Sequence, residues 1–262
     1  MSPAAVLLSP ALPAELVSFV VNHTNHPTTL IVGSRRPEFL SRLADNVRPP
    51  RDPDDDDPDD DDPDDDHAHD HAHDHAHLLA APLRQVAVAR HIRVVFTPTV
   101  THLRAFLSTF SALESKLPPP PSRPDHAAPR LTPCSGAGPL LLAYGFLELH
   151  RDTSEWSAQG LCDTAAALVA TARQNDLRPV IVEPRVGVGG GGGGGRAVVP
   201  LGLAELLAER MPLLGGAARN TAGRWTGRTV DVRTVLGRWF RFESGHWGRD
   251  RVREDDQDAQ GP

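Results

Sequence analysis

The sequence predicts an α/β domain with a mostly parallel sheet, helices on both faces and antiparallel strands at its C-terminal edge. Short runs that are apolar throughout alternate along the chain with segments whose apolar residues recur at helical spacing. Strands that are apolar on both sides are typical of a parallel sheet covered by helices. The last two β-like segments, residues 229–235 and 238–243, instead alternate polar and apolar residues, so we expect a hairpin of antiparallel strands there.

In the first half of the chain, five segments follow these patterns. Residues 14–21 predict a helix, and the apolar run at residues 29–33 predicts a strand that ends at a glycine. Proline is tolerated in the first turn of a helix, so Pro37 favours a helix over residues 37–43. Residues 92–96 predict a second strand. Residues 101–110 predict a helix, because four apolar side chains share one face: Leu103, Phe106, Leu107 and Phe110.

In the second half, residues 140–143 predict a third strand that is apolar on both faces. Residues 161–172 predict a helix with four small or apolar side chains in line: Leu161, Ala165, Leu168 and Ala172. Residues 179–182 predict a fourth strand, and residues 201–210 predict a helix. The alternation of strands and helices therefore continues to the C-terminal pair.

Four segments of biased composition interrupt this pattern. They are a Pro/Asp/His insert at 49–77, a Pro-rich loop at 116–130, a Gly-rich loop at 187–197 and a charged tail at 251–262. The first three lie between predicted elements, so we interpret them as inserted loops in a single domain over residues 1–250. No apolar run reaches the roughly 18 residues of a membrane helix, and no signal peptide is expected at the N-terminus.

The formal net charge of −7 conceals two opposite parts. Residues 52–77 hold fourteen Asp, six His and no basic residue, which leaves 20 acidic and 27 basic residues in the rest of the chain. Lys116 is the single lysine among those bases, so chemistry that needs a placed lysine is nearly excluded. Cys134 and Cys162 fit no metal spacing and favour a reducing compartment.

Three stretches resemble the RecA-like recombinase core and its paralogues. Residues 140–160, beginning Leu-Leu-Leu-Ala-Tyr-Gly-Phe, resemble the Walker B strand, the first DNA-binding loop and the following helix. Residues 178–184, the glycine run and residues 199–203 resemble the next strand, the second DNA-binding loop and a short helix. Residues 227–243 resemble the C-terminal antiparallel strands. The resemblance covers most of the chain outside the biased segments and implies the RecA-like fold.

The departures from that family imply the fold without the ATPase. There is no Gly-Lys-Ser/Thr loop, and Tyr144 stands where the Walker B carboxylate would hold Mg²⁺. Residues 33–36, Gly-Ser-Arg-Arg, stand where the family has a catalytic carboxylate. Because only about 28 residues precede the first predicted strand, we expect the phosphate-loop strand itself to be missing.

The resemblance implies a nuclear, non-catalytic accessory protein of homologous recombination and DNA repair, of the Shu-complex type. It would need no cofactor, and it would bind another RecA-like subunit and DNA. Two alternatives stay open: a structural RecA-like subunit of an Elongator-type tRNA-modification complex, and an unrecognised hydrolase using scattered residues such as Ser34, Ser135 and His150. The His/Asp tract is either a metal-binding segment or a solvated insert, and we assign no metal site.

The predicted nucleic-acid contacts are arginines and one tryptophan. Arg151 and Trp156 fall in the stretch that resembles the first DNA-binding loop, where Trp156 is a base-stacking residue, a partner-docking residue or a lid over the core. The C-terminal stretch 210–253 holds ten Arg and three acidic residues, with aromatic residues between them. Its candidate DNA contacts outside the strands are Arg224, Arg228, Arg249, Arg251 and Arg253.

Overall fold

The computed structural model describes residues 4–22, 27–47, 78–80, 82–112, 139–185, 202–214, 227–245 and 247. The strands among them are β1 (Val6–Ala11), β2 (Thr28–Val32), β3 (Ile92–Phe96), β4 (Leu140–Tyr144), β5 (Arg178–Pro184), β6 (Arg210–Pro212), β7 (Thr229–Asp231) and β8 (Arg241–Glu243). The helices are α1 (Pro13–Asn22), α2 (Arg36–Val47), α3 (Leu83–Ala89), α4 (Val100–Thr109), α5 (Phe146–His150), α6 (Ala158–Gln174), α7 (Leu203–Ala208) and α8 (Val232–Leu236).

Six strands form one parallel sheet in the order β3-β2-β4-β5-β1-β8. All five residues of β2 and of β4 are buried, as expected for central strands that are apolar on both sides. Leu141 and Ala143 of β4 pack under α4 to α8 on one face, whereas Leu142 and Tyr144 pack under α1 and α2 on the other. The predicted fold class, a parallel sheet with helices on both faces, is therefore confirmed.

A strand that the sequence pattern does not predict, β1, precedes α1. β1 lies inside the sheet, paired with β5 on one side and β8 on the other. Prolines had hidden it in the sequence, because Pro10 offers no N–H to a β ladder. The structure accommodates Pro10 where the register with β5 shifts, between Leu8 and Ala11, and where pairing with β8 has ended at Leu8.

The predicted C-terminal hairpin is also corrected. β7 pairs antiparallel with β6 in a separate two-stranded sheet, and β8 joins the main sheet parallel to β1. Residues 232–236 form α8, because Val232, Val235 and Leu236 at i, i+3 and i+4 all turn inward on a helix. The antiparallel strands predicted for the C-terminal region are thus present with different partners.

The four segments of biased composition lie almost wholly outside the described residues. Arg224, Arg249, Arg251 and Arg253 also lie outside them, as do Ser135 and the His/Asp tract. Within the described part of the chain, no helix is long and apolar enough to cross a membrane.

Candidate functional site at the carboxyl end of the sheet

The carboxyl ends of β1, β4 and β5 meet where open parallel sheets most often bind ligands. β1 ends at Ala11 and α1 begins at Pro13, so Leu12 alone connects them. The carbonyl of Ala11 accepts a hydrogen bond from the Arg185 backbone N–H at 2.9 Å and another from the Tyr144 hydroxyl at 3.0 Å. The turn between β1 and α1 is thus one residue long, and the carbonyl that precedes it is already bonded to the last residue of β4 and to the residue that follows β5.

A carboxylate occupies the first turn of α1. The backbone N–H of Leu12 donates to Glu15 Oε2 at 2.7 Å, which is one half of a capping box. Glu15 is 5% exposed, and its other oxygen pairs with Arg185. The Glu15 carboxylate is therefore held at the start of α1 by groups of its own chain, the Leu12 N–H and the Arg185 side chain.

Tyr144 stands at the end of β4 as a structural residue. Its side chain is buried, and its ring packs edge-on against Phe39 with centroids 5.9 Å apart. Burial, and next the charge of Glu148, raise the pKa of the phenol far above its usual value, so the hydroxyl stays neutral and donates to Ala11. A neutral phenol that is already bonded offers no anionic ligand to Mg²⁺.

Glu183, near the end of β5, is the buried carboxylate that sequence reasoning missed. It is 1% exposed and accepts hydrogen bonds from the backbone N–H groups of Leu147 at 2.7 Å and Glu148 at 3.3 Å. It therefore caps the start of α5, which the chain reaches through Gly145 at φ 78°. Burial raises the pKa of Glu183 to about 7, against the opposing effects of the Leu147 N–H and the Arg151 charge. The signal in the sequence was one acidic residue ending an apolar strand.

Arg151 and Trp156 lie together just beyond α5. The Arg151 guanidinium donates from both Nε and Nη2 to Glu209, with the shortest distance 2.7 Å, and its carbon lies 5.7 Å from the Trp156 ring centroid. Trp156 is 4% exposed and belongs to the core under α4 to α8. In this structure Trp156 is a lid over the core, and Arg151 ties that lid to the residue preceding β6.

A second buried network lies beneath the same loop. His150 is fully buried, with Nδ1 2.7 Å from the Phe146 carbonyl oxygen and Nε2 3.0 Å from Thr164 Oγ1. The carbonyl can only accept, so Nδ1 carries the proton, and the Thr164 hydroxyl next to Nε2 donates to the Gly160 carbonyl at 3.0 Å. Burial lowers the pKa of His150 to about 4, which keeps the ring neutral.

Arg104 completes that network from α4. It donates to Thr164 Oγ1 at 2.9 Å and to the Gly160 carbonyl at 2.8 Å, and it pairs with Glu155 at 2.7 Å. Because both ring nitrogens of His150 are already bonded inside the protein, the imidazole is not positioned to act as a base on an external substrate.

Several exposed arginines lie on the C-terminal elements of the chain. Arg228, the one DNA-contact candidate of that stretch within the described residues, is exposed just before β7. Four others on β6, α8 and β8 or beside them are exposed too: Arg210, Arg233, Arg238 and Arg241. In the described part of the chain, no carboxylate forms an ion pair with any of the five. We call these five residues the C-terminal arginines.

No group of His, Cys, Asp or Glu among the described residues is arranged to hold a metal ion. The chain matches no protein-family model and no curated protein.

Proposed function

We propose that this protein is a non-catalytic RecA-like accessory subunit of homologous recombination, which binds a partner of the same fold and adds arginine contacts to DNA. The observation that carries the proposal is the closed carboxyl end of the sheet, where Glu15, Tyr144 and Glu183 bond to backbone groups of their own chain. Those are the positions at which a nucleotide and its metal would otherwise be bound.

The strand order is compatible with a RecA-like core. β1 leads directly into α1 from inside the sheet, as a phosphate-loop strand would, and β4 brings Tyr144 to the same end. The strand position is thus kept, while the Gly-Lys-Ser/Thr loop and the metal-binding carboxylate are absent from the sequence. This combination supports a RecA-like subunit that has no ATPase function.

The C-terminal arginines support DNA binding. Arginine neutralises phosphates and keeps its charge at any physiological pH. Arg238 and Arg241 are exposed and close in sequence, and neither forms an ion pair with a carboxylate among the described residues. Arg233 is also exposed, with its guanidinium carbon 5.9 Å from the Phe242 ring centroid.

The outer edge of β3 supports a partner of the same fold. Among the described residues, β3 pairs with β2 and with no strand on its other side. Its central residue, Val94, is 46% exposed, so this edge strand carries an apolar side chain that the described residues leave largely uncovered. Edges of this kind pair with strands of other chains unless they are covered.

A salt titration of binding to single-stranded DNA tests the arginine part. For the wild type we expect affinity to fall with a log-log slope of several units, because each neutralised phosphate contributes about 0.7. Substituting Arg238→Gln and Arg241→Gln together should lower that slope by about 1.4. Arg173→Gln, in an exposed arginine of α6, is the matched control and should leave the slope unchanged. An unchanged slope in the double variant contradicts the assignment.

Two further measurements separate the alternatives. Titration with a fluorescent ATP analogue should show no binding, and measurable ATP turnover would contradict the closed-site argument. Affinity purification with mass spectrometry should recover RecA-like recombination subunits. Recovery of tRNA-modification subunits instead would favour the Elongator-type alternative.

A further inference from the structure

Two adjacent leucines just beyond β6 are exposed although the backbone beside them is held. Leu213 is 41% exposed and Leu214 is 66% exposed. The Leu213 N–H donates to the Arg228 carbonyl at 3.1 Å, and the Leu213 carbonyl accepts from the Gln159 N–H at 3.2 Å. A single exposed leucine is ordinary, but two neighbouring ones on a bonded backbone form an apolar patch that favours contact with a ligand.

Positive charge adjoins this apolar patch. The pairing of β6 with β7 places Pro212 opposite Thr229, so that Leu213 lies opposite Arg228 one step further along. Side chains opposite each other on antiparallel strands are close enough to touch the same ligand. Arg228 and Arg210 are exposed, and neither forms an ion pair with a carboxylate among the described residues. We call four residues the β6–β7 surface: Arg210, Leu213, Leu214 and Arg228.

The two carboxylates that follow the same strands in the sequence bond within the chain. Glu209 pairs with Arg151 at 2.7 Å. Asp231, which lies opposite Arg210, accepts a hydrogen bond from the Thr234 hydroxyl at 3.5 Å. Within the part of the chain that the structure describes, the positive charge least offset by acid is therefore that of Arg228, beside the leucines.

A ligand that fits the β6–β7 surface carries anionic groups and apolar faces at short, regular intervals. A single nucleic-acid strand has a phosphate at every nucleotide and a base face that is accessible beside it, whereas a duplex stacks and pairs its bases out of reach. A short acidic peptide could also combine charge with apolar side chains. However, exposed arginines continue beyond this surface along α8 and towards β8, and this extended positive charge favours a long polyanion.

We propose that Leu213 and Leu214 contact the unpaired bases of a single DNA strand whose phosphates bind Arg228 and the other C-terminal arginines. The arginines attract any DNA backbone, and the leucines give the preference for unpaired over paired bases, because only an unstacked base can cover them. This inference rests on the DNA-binding part of the proposed function. It assigns the discrimination between strands to two apolar residues rather than to charge.

Fluorescence anisotropy with two labelled probes tests the assignment. The probes are an oligonucleotide of thymidines and a duplex of the same length, each titrated with the full-length protein. Substituting Leu213→Ser and Leu214→Ser together should weaken binding of the single strand about tenfold, because the apolar contact with the bases is lost. Affinity for the duplex and the salt slope on either probe should stay unchanged, because no charge is altered.

Leu40→Ser is the matched control. Leu40 is 45% exposed on α2, which covers the opposite face of the main sheet from β6 and β7, so its substitution should leave both affinities unchanged. Circular dichroism checks that both variants fold. Unchanged affinity of the folded double variant for the duplex shows in addition that its arginine surface is intact.

The possible results separate this inference from the proposed function. If the wild type binds DNA with the expected salt slope but the double variant keeps the wild-type preference for single strands, the leucine assignment is overturned and the arginine assignment stands. If the wild type binds neither probe, both are overturned. Tighter binding of a labelled peptide of alternating Glu and Leu than of the single strand would mean that a protein segment covers the leucines. A wild-type dimer that the double variant converts to monomer in light scattering would mean that a second copy of this chain covers them, and either result also overturns the proposal.

Discussion

Two buried groups, His150 and Glu183, make the free energy of unfolding depend on pH in opposite directions. Burial lowers the pKa of His150 from 6.5 to about 4, and burial raises the pKa of Glu183 from 4.5 to about 7. Between pH 4.5 and 6.5, both groups are neutral in the folded chain, whereas in the unfolded chain the histidine is charged and the carboxylate is ionised. Each shift therefore has its own effect on the free energy of unfolding.

The two effects have opposite signs. Folding releases a proton from His150, so its contribution is present above pH 6.5 and is lost as the pH falls towards 4. Folding takes up a proton at Glu183, so its contribution is present below pH 4.5 and is lost as the pH rises through 7. Each shift corresponds to about 3 kcal/mol over its full range. Between pH 4.5 and 6.5 the two slopes cancel in the wild type.

A substitution at either residue isolates the pH dependence of stability that the other residue contributes. Glu183→Gln leaves the histidine effect alone, so its stability relative to the wild type should rise with pH by about 1.4 kcal/mol per unit between pH 4.5 and 6.5. His150→Asn leaves the carboxylate effect alone, and its relative stability should fall by about the same amount per unit. The double variant should again match the wild-type slope.

Urea unfolding followed by tryptophan fluorescence, in half-unit steps from pH 4.5 to 7, measures these slopes. Taking each variant against the wild type at the same pH removes the titration of the Asp-rich insert, which is common to both proteins. A Glu183→Gln difference that stays constant across the interval would refute the assignment of a neutral buried carboxyl. A constant His150→Asn difference would refute the neutral buried imidazole.

Three further substitutions test the packing. Asp176→Gly should stabilise the fold by about 1 kcal/mol in thermal unfolding, because Asp176 ends α6 at φ 54°, a conformation that glycine adopts freely; a lowered midpoint would contradict this. Gly33→Ala should destabilise the fold by about 2 kcal/mol or more in urea unfolding, because the added methyl would lie 2.7 Å from the Gly145 carbonyl oxygen, and an unchanged urea midpoint would argue against that close approach. Trp247→Phe removes the indole N–H that donates to Ser9 at 3.0 Å, and it should cost about 1 kcal/mol by the same measurement; full stability would mean that this bond contributes nothing.

The strands that the sequence predicted share one property. Residues 29–33, 92–96, 140–143 and 179–182 are short segments in which apolar residues predominate, and each overlaps an observed strand to within two residues. β1 could not be predicted in this way, because Ser9 and Pro10 break its apolar run. A local run of apolar residues indicates that a strand is buried. Whether a proline fits in that strand depends instead on which backbone carbonyls of the neighbouring strands need an N–H donor.

The C-terminal elements show a different limit. Val230, Val232 and Val235 satisfy a two-residue alternation in part and a helical spacing in part, and a short segment cannot distinguish the two. Contact with α6 and α7 decides for a helix over residues 232–236. The strand order that brings β8 beside β1 depends on contacts between the two ends of the chain, which no local pattern contains.

At the candidate site, the sequence predicted which residues stand at the strand ends, but not which groups those residues contact. The resemblance predicted that Tyr144 stands at the end of a strand, and Tyr144 is the last residue of β4. The resemblance gave no sign that the Tyr144 hydroxyl would bond to Ala11, which lies 133 residues earlier. Pro13 followed by Glu15 was a local signal for a capped helix start, but the ion pair with Arg185 arises only when β1 and β5 lie side by side.

The bonded carboxyl end and the exposed arginines differ in what a ligand would have to break in order to bind there. A ligand entering at the strand ends would have to displace the bonds of Glu15, Tyr144 and Glu183, each worth about 1–3 kcal/mol when a buried partner is left unsatisfied. Contact with Arg238 or Arg241 breaks no internal ion pair among the described residues and gains a charge-assisted bond to any phosphate. Binding at the surface therefore costs less than binding at the strand ends, and this difference favours a protein that acts through its outer faces.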